Sequence, residues 1–184
     1  MDLPDVKFYD PKQAPFRIYG VFHDGEKFRR MPESVAETVS EGVLNLHAHT
    51  AGGRIRFKTD SPYIAIHAEM NNVSKMGHFA LCGSAGFDVY VGNNHAVSFV
   101  PAFDISGAFD GYRPLGDIRM REITVHLPLY SGIKEIYIGL SESAVVEEGR
   151  SYATEKPVVY YGSSITQGRE RLFYQRQRID GSCG

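Results

Sequence analysis

Apolar and polar positions alternate with a period of two through the middle of the chain. Arg54-Ile-Arg-Phe-Lys58 sets Ile55 and Phe57 on one face and its bases on the other, and Tyr63-Ile-Ala-Ile-His-Ala-Glu69 aligns Ile64, Ile66 and Ala68. That alternation belongs to half-buried antiparallel strands. The same pattern predicts strands at Phe79-Ala-Leu81, Phe87–Val91, His95–Val100, Ile123–Leu127 and Glu135–Leu140, with a shorter piece at Phe16–Gly20. Thr59-Asp-Ser-Pro62 carries turn chemistry and predicts a hairpin. Gly92-Asn-Asn-His95 is a turn between two strands, since Asn readily takes left-handed backbone. Gly52 and Gly53 serve a tight turn ahead of Arg54. Many short strands punctuated by Gly, Pro, Asn and Asp predict a mainly β fold, a jelly-roll-like antiparallel β-sandwich.

Three stretches depart from that period. The lead-in to about Arg30 contains Pro4, Pro11 and Pro15 and is expected to wrap irregularly on the domain. Pro32–Ser40 has an early Pro, acidic residues in its first turn, and Val35 and Val39 four apart, which predicts a short helix ended by Gly42. From about Glu155 a second regime begins, because Pro157-Val-Val-Tyr-Tyr161 is continuously apolar, as in a parallel strand covered on both faces. The chain therefore divides into a sandwich over residues 1–150 and, over residues 151–184, a linker with the start of an α/β domain. Val145–Thr154 is the connection between the two regimes. Left alone, the Pro157–Tyr161 strand must dock on the sandwich, remain disordered, or pair with another copy, which makes self-association an expectation.

Composition narrows the function classes. The 184 residues are 42% hydrophobic, enough for one substantial core. Lys and Arg are scattered and the formal net charge is -2, so no electrostatic footprint for nucleic acid or an acidic membrane surface is present. No run is long and apolar enough to cross a bilayer and no leader is visible, which makes a cytoplasmic location the default expectation. Cys82 and Cys183 are distant and lack spaced partners, so no disulfide framework is expected.

A serine becomes a nucleophile when it stands free on a sharp turn after a strand and a base takes its proton. Ser164 meets the positional demand, in Gly162-Ser-Ser-Ile-Thr-Gln-Gly168 at the carboxyl end of the apolar run. Gly162, Ser163, Ser164, Thr166 and Gly168 together resemble the first block of SGNH (GDSL-type) hydrolases, Gly-Asp-Ser-Ile-Thr-x-Gly, with Ser163 in place of Asp. Upstream, Thr50-Ala-Gly-Gly-Arg-Ile-Arg-Phe57 and Gly86-Phe-Asp-Val-Tyr90 resemble the N-terminal domain found ahead of one bacterial group of SGNH esterases. Gly86, Asp88 and Tyr90 match its Gly-x-Asp-Leu-Tyr motif, with Val89 for Leu. The resemblance runs from about Pro32 to Gly168. It implies a β-sandwich fused to a flavodoxin-like hydrolase domain acting on an acyl ester or acetylated carbohydrate, without a cofactor.

By the same resemblance Ser164 attacks the ester carbonyl and its own N–H is one oxyanion donor. The family's remaining donors come from a later Gly and Asn, and its base from an Asp-x-x-His motif that these residues do not contain. The basic tail from Arg169 to Gly184 does not follow the family either, as in a truncated product inactive by itself. The alternative is a stand-alone sandwich that binds a glycan or a protein, with the Ser164 strand only packing.

Other candidates have ordinary explanations. His47 and His49 are expected on one face of a strand, partly exposed, with His67 a candidate neighbour, but no carboxylate or thiol completes a metal site. Asp88 is expected to satisfy turn amides and Tyr90 to pack with a bonded hydroxyl. Phe99, Phe103, Phe109 and Tyr112 either fill the core or form a sugar-stacking platform.

Overall fold

A computed structural model describes residues 5–73, 76–100, 107–154, 159–160, 162 and 164–167. In chain order the elements begin with β1 (Val6–Tyr9), β2 (Arg17–Tyr19), β3 (Phe22–His23), β4 (Phe28–Arg29), α1 (Glu33–Val39) and α2 (Glu41–Leu46). They continue with β5 (Arg54–Thr59), β6 (Tyr63–Val73), α3 (Leu81–Ser84), β7 (Phe87–Val91), β8 (Asn94–Phe99) and β9 (Ala108–Pro114). The last are β10 (Arg121–His126), β11 (Ser131–Ser141), β12 (Val146–Glu147) and α4 (Ser164–Gln167).

Two antiparallel sheets face each other as a sandwich. One has the order β1-β11-β6-β9; the other runs β12-β5-β10-β7-β8, with β2 also on β5. Period-two patterning supplies the core between them. Ile64, Ile66 and Ala68 from β6 and Ile136 and Ile138 from β11 meet Ile55, Phe57, Phe87, Val89, Ile123 and Val125 of the other sheet, all essentially without solvent exposure. At roughly 25 cal/mol per Å² of apolar surface removed from water, this interior is the main stabilising contribution.

Several expectations change. Ser40, not Gly42, divides the helical stretch: its backbone is extended at φ -172, and its side chain accepts from Val43 N–H, so a second helix restarts through Gly42. His47 is therefore the C-cap of α2, and the strand placement of His47 and His49 is wrong. Helix α1 forms as expected, yet it buries Ala36 and leaves Val35 and Val39 exposed.

The Thr59–Pro62 break is not a hairpin, because β5 and β6 lie in different sheets and the chain crosses the sandwich there. Ser61 is buried in that crossover: it donates to Tyr63 C=O at 2.7 Å and accepts from Ser141 N–H at 3.1 Å. Phe79–Leu81 is not a strand either. Only a bridge joins Met76 to Phe79, and α3 starts at Leu81. The lead-in is partly regular, since β1 pairs with β11 and β2 with β5. In the Gly92–Asn93 turn it is Gly92, at φ 58, that takes the left-handed backbone, and no non-glycine residue does so among those described.

The Val145–Thr154 connection is tied to the sandwich at several points. β12 pairs with Thr59 and Lys58 of β5, and Arg150 N–H donates to Glu122. The Tyr152 ring sits against the guanidinium of Arg56 at 4.4 Å and edge-on to Tyr19 at 4.8 Å. Of the expected Pro157–Tyr161 strand, only residues 159 and 160 are described; both are exposed and neither is in a strand. Phe103, Cys183 and the tail from 169 lie outside the described residues.

Candidate functional site

The two motifs sit in different surroundings. Gly86 opens β7 where a Cβ would lie 2.2 Å from the Cys82 carbonyl oxygen, so no side chain fits between α3 and the strand. Phe87 and Val89 alternate into the core, and Phe87 stacks with Phe109 at 6.0 Å. Asp88 and Tyr90 take the opposite face. There Asp88 accepts from Ser98 Oγ at 2.6 Å, and Tyr90 meets the rings of His126 at 5.0 Å and His95 at 5.5 Å. His126 is pushed down to about 4 by burial and then by the nearby charge of Arg54, so it is neutral at pH 7.

Asp88, Ser98 and His95 bring together the three side-chain types of a nucleophilic triad, but in the wrong order. His95 Nε2 lies 2.9 Å from Ser98 Oγ, and Ser98 itself donates to Asp88. In a working triad the imidazole stands between carboxylate and hydroxyl and receives the hydroxyl proton. Here the hydroxyl is in the middle and its proton goes to the carboxylate, which makes the cluster a cross-strand tie between β7 and β8.

The second motif reaches one end of the sandwich. Ser164 is the first residue of α4 by its backbone, and Ser163 and Gly168 lie outside the described residues. Gly162 comes so near the helix that a Cβ there would be 2.2 Å from Thr166 Oγ1, a contact that rotation of the Thr166 side chain can relieve. Gln167 anchors α4 to the domain. Its Nε2 donates to Leu129 C=O at 2.8 Å and faces His49 Nδ1 at 3.4 Å, while its Oε1 is 3.5 Å from both terminal nitrogens of Arg30.

Three connections converge to make that cradle. Arg30 follows β4, where its backbone N–H donates to His47 C=O and its guanidinium to Leu46 C=O at the end of α2. His49 follows α2, its ring edge-on to Tyr130 at 5.9 Å, and the adjacent Thr50 donates to Pro128 C=O at 2.9 Å. Leu129 lies in the β10–β11 turn, held where Tyr130 N–H donates to Ser84 C=O. Burial, then the charge of Arg30, then His47, lowers His49 to about 4, so a neutral imidazole faces the Gln167 amide. Burial also lowers the pKa of Arg30.

His47 and His49 are both buried, and both ring nitrogens of His47 are engaged. His47 Nδ1 meets Leu44 C=O and its Nε2 meets Arg29, which also pairs with Asp24 and with Glu33. His67 belongs to β6 and pairs with Asp110 at 2.8 Å. Among the described residues no three His, Cys, Asp or Glu side chains gather as a metal centre would require. Phe99 and Phe109 are core residues, and only Tyr112 of the described platform candidates lies on an outer face, against Tyr63.

The two sequence motifs contain Gly86, Asp88, Tyr90, Gly162, Ser163, Ser164, Thr166 and Gly168, and they give no sign of Arg30, His49 and Gln167 as a unit. The only advance signal was polar and basic residues flanking apolar segments.

One solved structure, described as a GDSL-like lipase from Bacteroides ovatus ATCC 8483, superposes with a TM-score of 0.68 at 22% identity, over 79% of this chain and 44% of its own. The salicylyl-acyltransferase SsfX3 from a tetracycline biosynthetic pathway superposes with a TM-score of 0.63 at 18% identity, over 82% and 44%. The chain thus spans less than half of each, and at these identities the likeness establishes the fold. No curated protein sequence matches it. The GxDLY family, the N-terminus of SGNH-hydrolase-type esterases, matches residues 6–146. With a match over most of its length, the chain belongs to the GxDLY family of domains that form the N-terminus of SGNH-hydrolase-type esterases.

Proposed function

We propose that this chain is the front portion of an SGNH-type serine ester hydrolase with Ser164 as the nucleophile, and that these 184 residues do not turn over ester by themselves. The observation that carries this reading is the docking of the Ser164 block through Gln167 onto the domain that the family places ahead of its catalytic part. A hydroxyl without an aligned base and a completed set of oxyanion donors is an ordinary alcohol, and the sequence contains no Asp-x-x-His motif. Ester or acetylated carbohydrate is the substrate class that the family suggests.

An activated acetyl ester tests this with three polypeptides: this chain, its Ser164→Ala variant, and a longer form that includes an Asp-x-x-His block. The expected result is equal background for the first two and turnover by the third, abolished there by Ser164→Ala. A longer form that keeps its activity without the Ser164 hydroxyl overturns the assignment.

A second reading, a glycan-binding sandwich, is favoured by the outer face of the β1-β11-β6-β9 sheet. Phe8 is 45% exposed there beside His67 at 6.4 Å, and Tyr137 stands 6.0 Å from the same imidazole. Titration calorimetry with soluble oligosaccharides would support it through binding that Phe8→Ala removes.

A further inference from the structure

We propose that Arg30 and His49 of the β-sandwich are positioning residues for the nucleophile helix, gripping the side-chain amide of Gln167 and thereby fixing α4. The inference rests on the reading of Ser164 as nucleophile. A four-residue helix has too few internal hydrogen bonds to hold its own place, so its orientation must come from tertiary contacts. Gln167 supplies them with every polar group of its amide. Both N–H donors are directed, to Leu129 C=O and to His49 Nδ1, and the carbonyl oxygen faces the Arg30 guanidinium.

The cradle has a fixed polarity. His49 must present a lone pair and Arg30 a positive charge, so protonating His49 would set an N–H against the Gln167 amide group and a second cation beside Arg30. The charged and titratable groups around His49 are Arg30 and His47, with Tyr130 edge-on, while Arg29 on the far side of His47 is neutralised by Asp24 and Glu33.

Arg30 is unusual in its own right. Among the described residues it has no carboxylate partner, and its Nε is buried without a hydrogen bond. Such a desolvated cation is unfavourable unless another role retains it. Its described partners, Leu46 C=O and the Gln167 oxygen, link the end of α2 to α4. The anchoring residue occupies the unspecified position of the Gly-Asp-Ser-Ile-Thr-x-Gly block, so the grip is a property of this chain and its domain together.

The test has two arms. In this chain, hydrogen exchange of the 164–167 amides is compared between wild type, Arg30→Met, Arg30→Lys, His49→Phe and Gln167→Ala, with the β5 and β10 amides reporting an intact core. The expected result is at least about tenfold faster exchange in α4 for Arg30→Met, His49→Phe and Gln167→Ala, an unchanged core, and partial recovery in Arg30→Lys.

In the longer polypeptide, Arg30→Met and Gln167→Ala each lower kcat about tenfold or more with KM little changed, and the double variant is no worse than either single one. Unchanged α4 exchange in Arg30→Met with a protected core, or wild-type kcat in that variant, overturns the proposal. An inactive longer wild type defeats the nucleophile reading instead, and leaves the exchange arm to decide whether the cradle holds α4.

Discussion

The Gly86–Tyr90 motif and the Gly162–Gly168 motif are both short and glycine-led, yet they are held in opposite ways. Around the first, the surroundings are a finished interior: Gly86 is pressed against the Cys82 carbonyl, Phe87 and Val89 enter the core, and Asp88 ties to Ser98. Around the second, the described contacts are a few polar ones made by a single side chain, Gln167, to three separate connections. In each motif the unspecified position, Phe87 or Gln167, makes the contact that anchors it. In this chain both anchoring contacts fall on positions that the motifs leave open.

The sharpest way to break the comparison is to empty the anchor of the first motif. Phe87→Ala removes a fully buried ring stacked on Phe109 and should cost about 4 kcal/mol by the transfer and cavity contributions, read as a lower urea midpoint with unchanged slope. Next comes Gly86→Ala, whose new methyl meets backbone rather than a movable side chain. It should cost about 3 kcal/mol in the same unfolding experiment, and a neutral result would show that α3 yields freely.

Acid probes both regions together. His126 beside the first motif and His49 beside the second are each lowered from an ordinary 6.5 to about 4. The unfolded chain then binds more protons than the folded one between these values. Stability from both groups is complete above about pH 6.5 and is lost as pH falls through about 4. Denaturant midpoints across pH 4–7 check the sign, and His126→Phe should flatten the decline if the fold accepts the ring. The smallest effect is expected from Asp88→Ala, which removes the partner of Ser98 at a partly solvated site and should cost about 1–2 kcal/mol. Thermal melts of the variant, of Ser98→Ala and of the pair would show whether the two are coupled.

What could be read in the sequence follows from range. Ile55 with Phe57, Ile64 with Ile66, and Ile123 with Val125 bury alternate positions along single strands, so a local pattern revealed both the sandwich and much of its core. Elements without clean alternation escaped. β9 contains Gly111, whose missing Cβ makes room for Phe99, and ends on Pro114; β1 is held by pairing with β11 and by Tyr9 against Phe16. Gly42 suggested a helix end because the extended backbone of Ser40, which resets the helix, leaves only the weak mark of a capping serine.

The Gly162–Gly168 motif was visible as residue types at fixed spacing. Its cradle was not, because Gln167 meets a guanidinium 137 residues away and an imidazole 118 residues away, and no local periodicity encodes such pairs.

The outer edge of β5 is shared: β2 covers its beginning, Arg54 to Arg56, and β12 covers its end at Lys58 and Thr59. An uncovered strand edge offers free N–H and C=O groups to any neighbouring chain and templates sheet growth between molecules. The polypeptide on its way to α4 therefore also guards the domain against cross-molecular strand addition. The family boundary at residue 146 falls inside that guard, so a domain cut there gives up the pairing of Glu147 with Lys58 while β2 still covers Arg54 to Arg56.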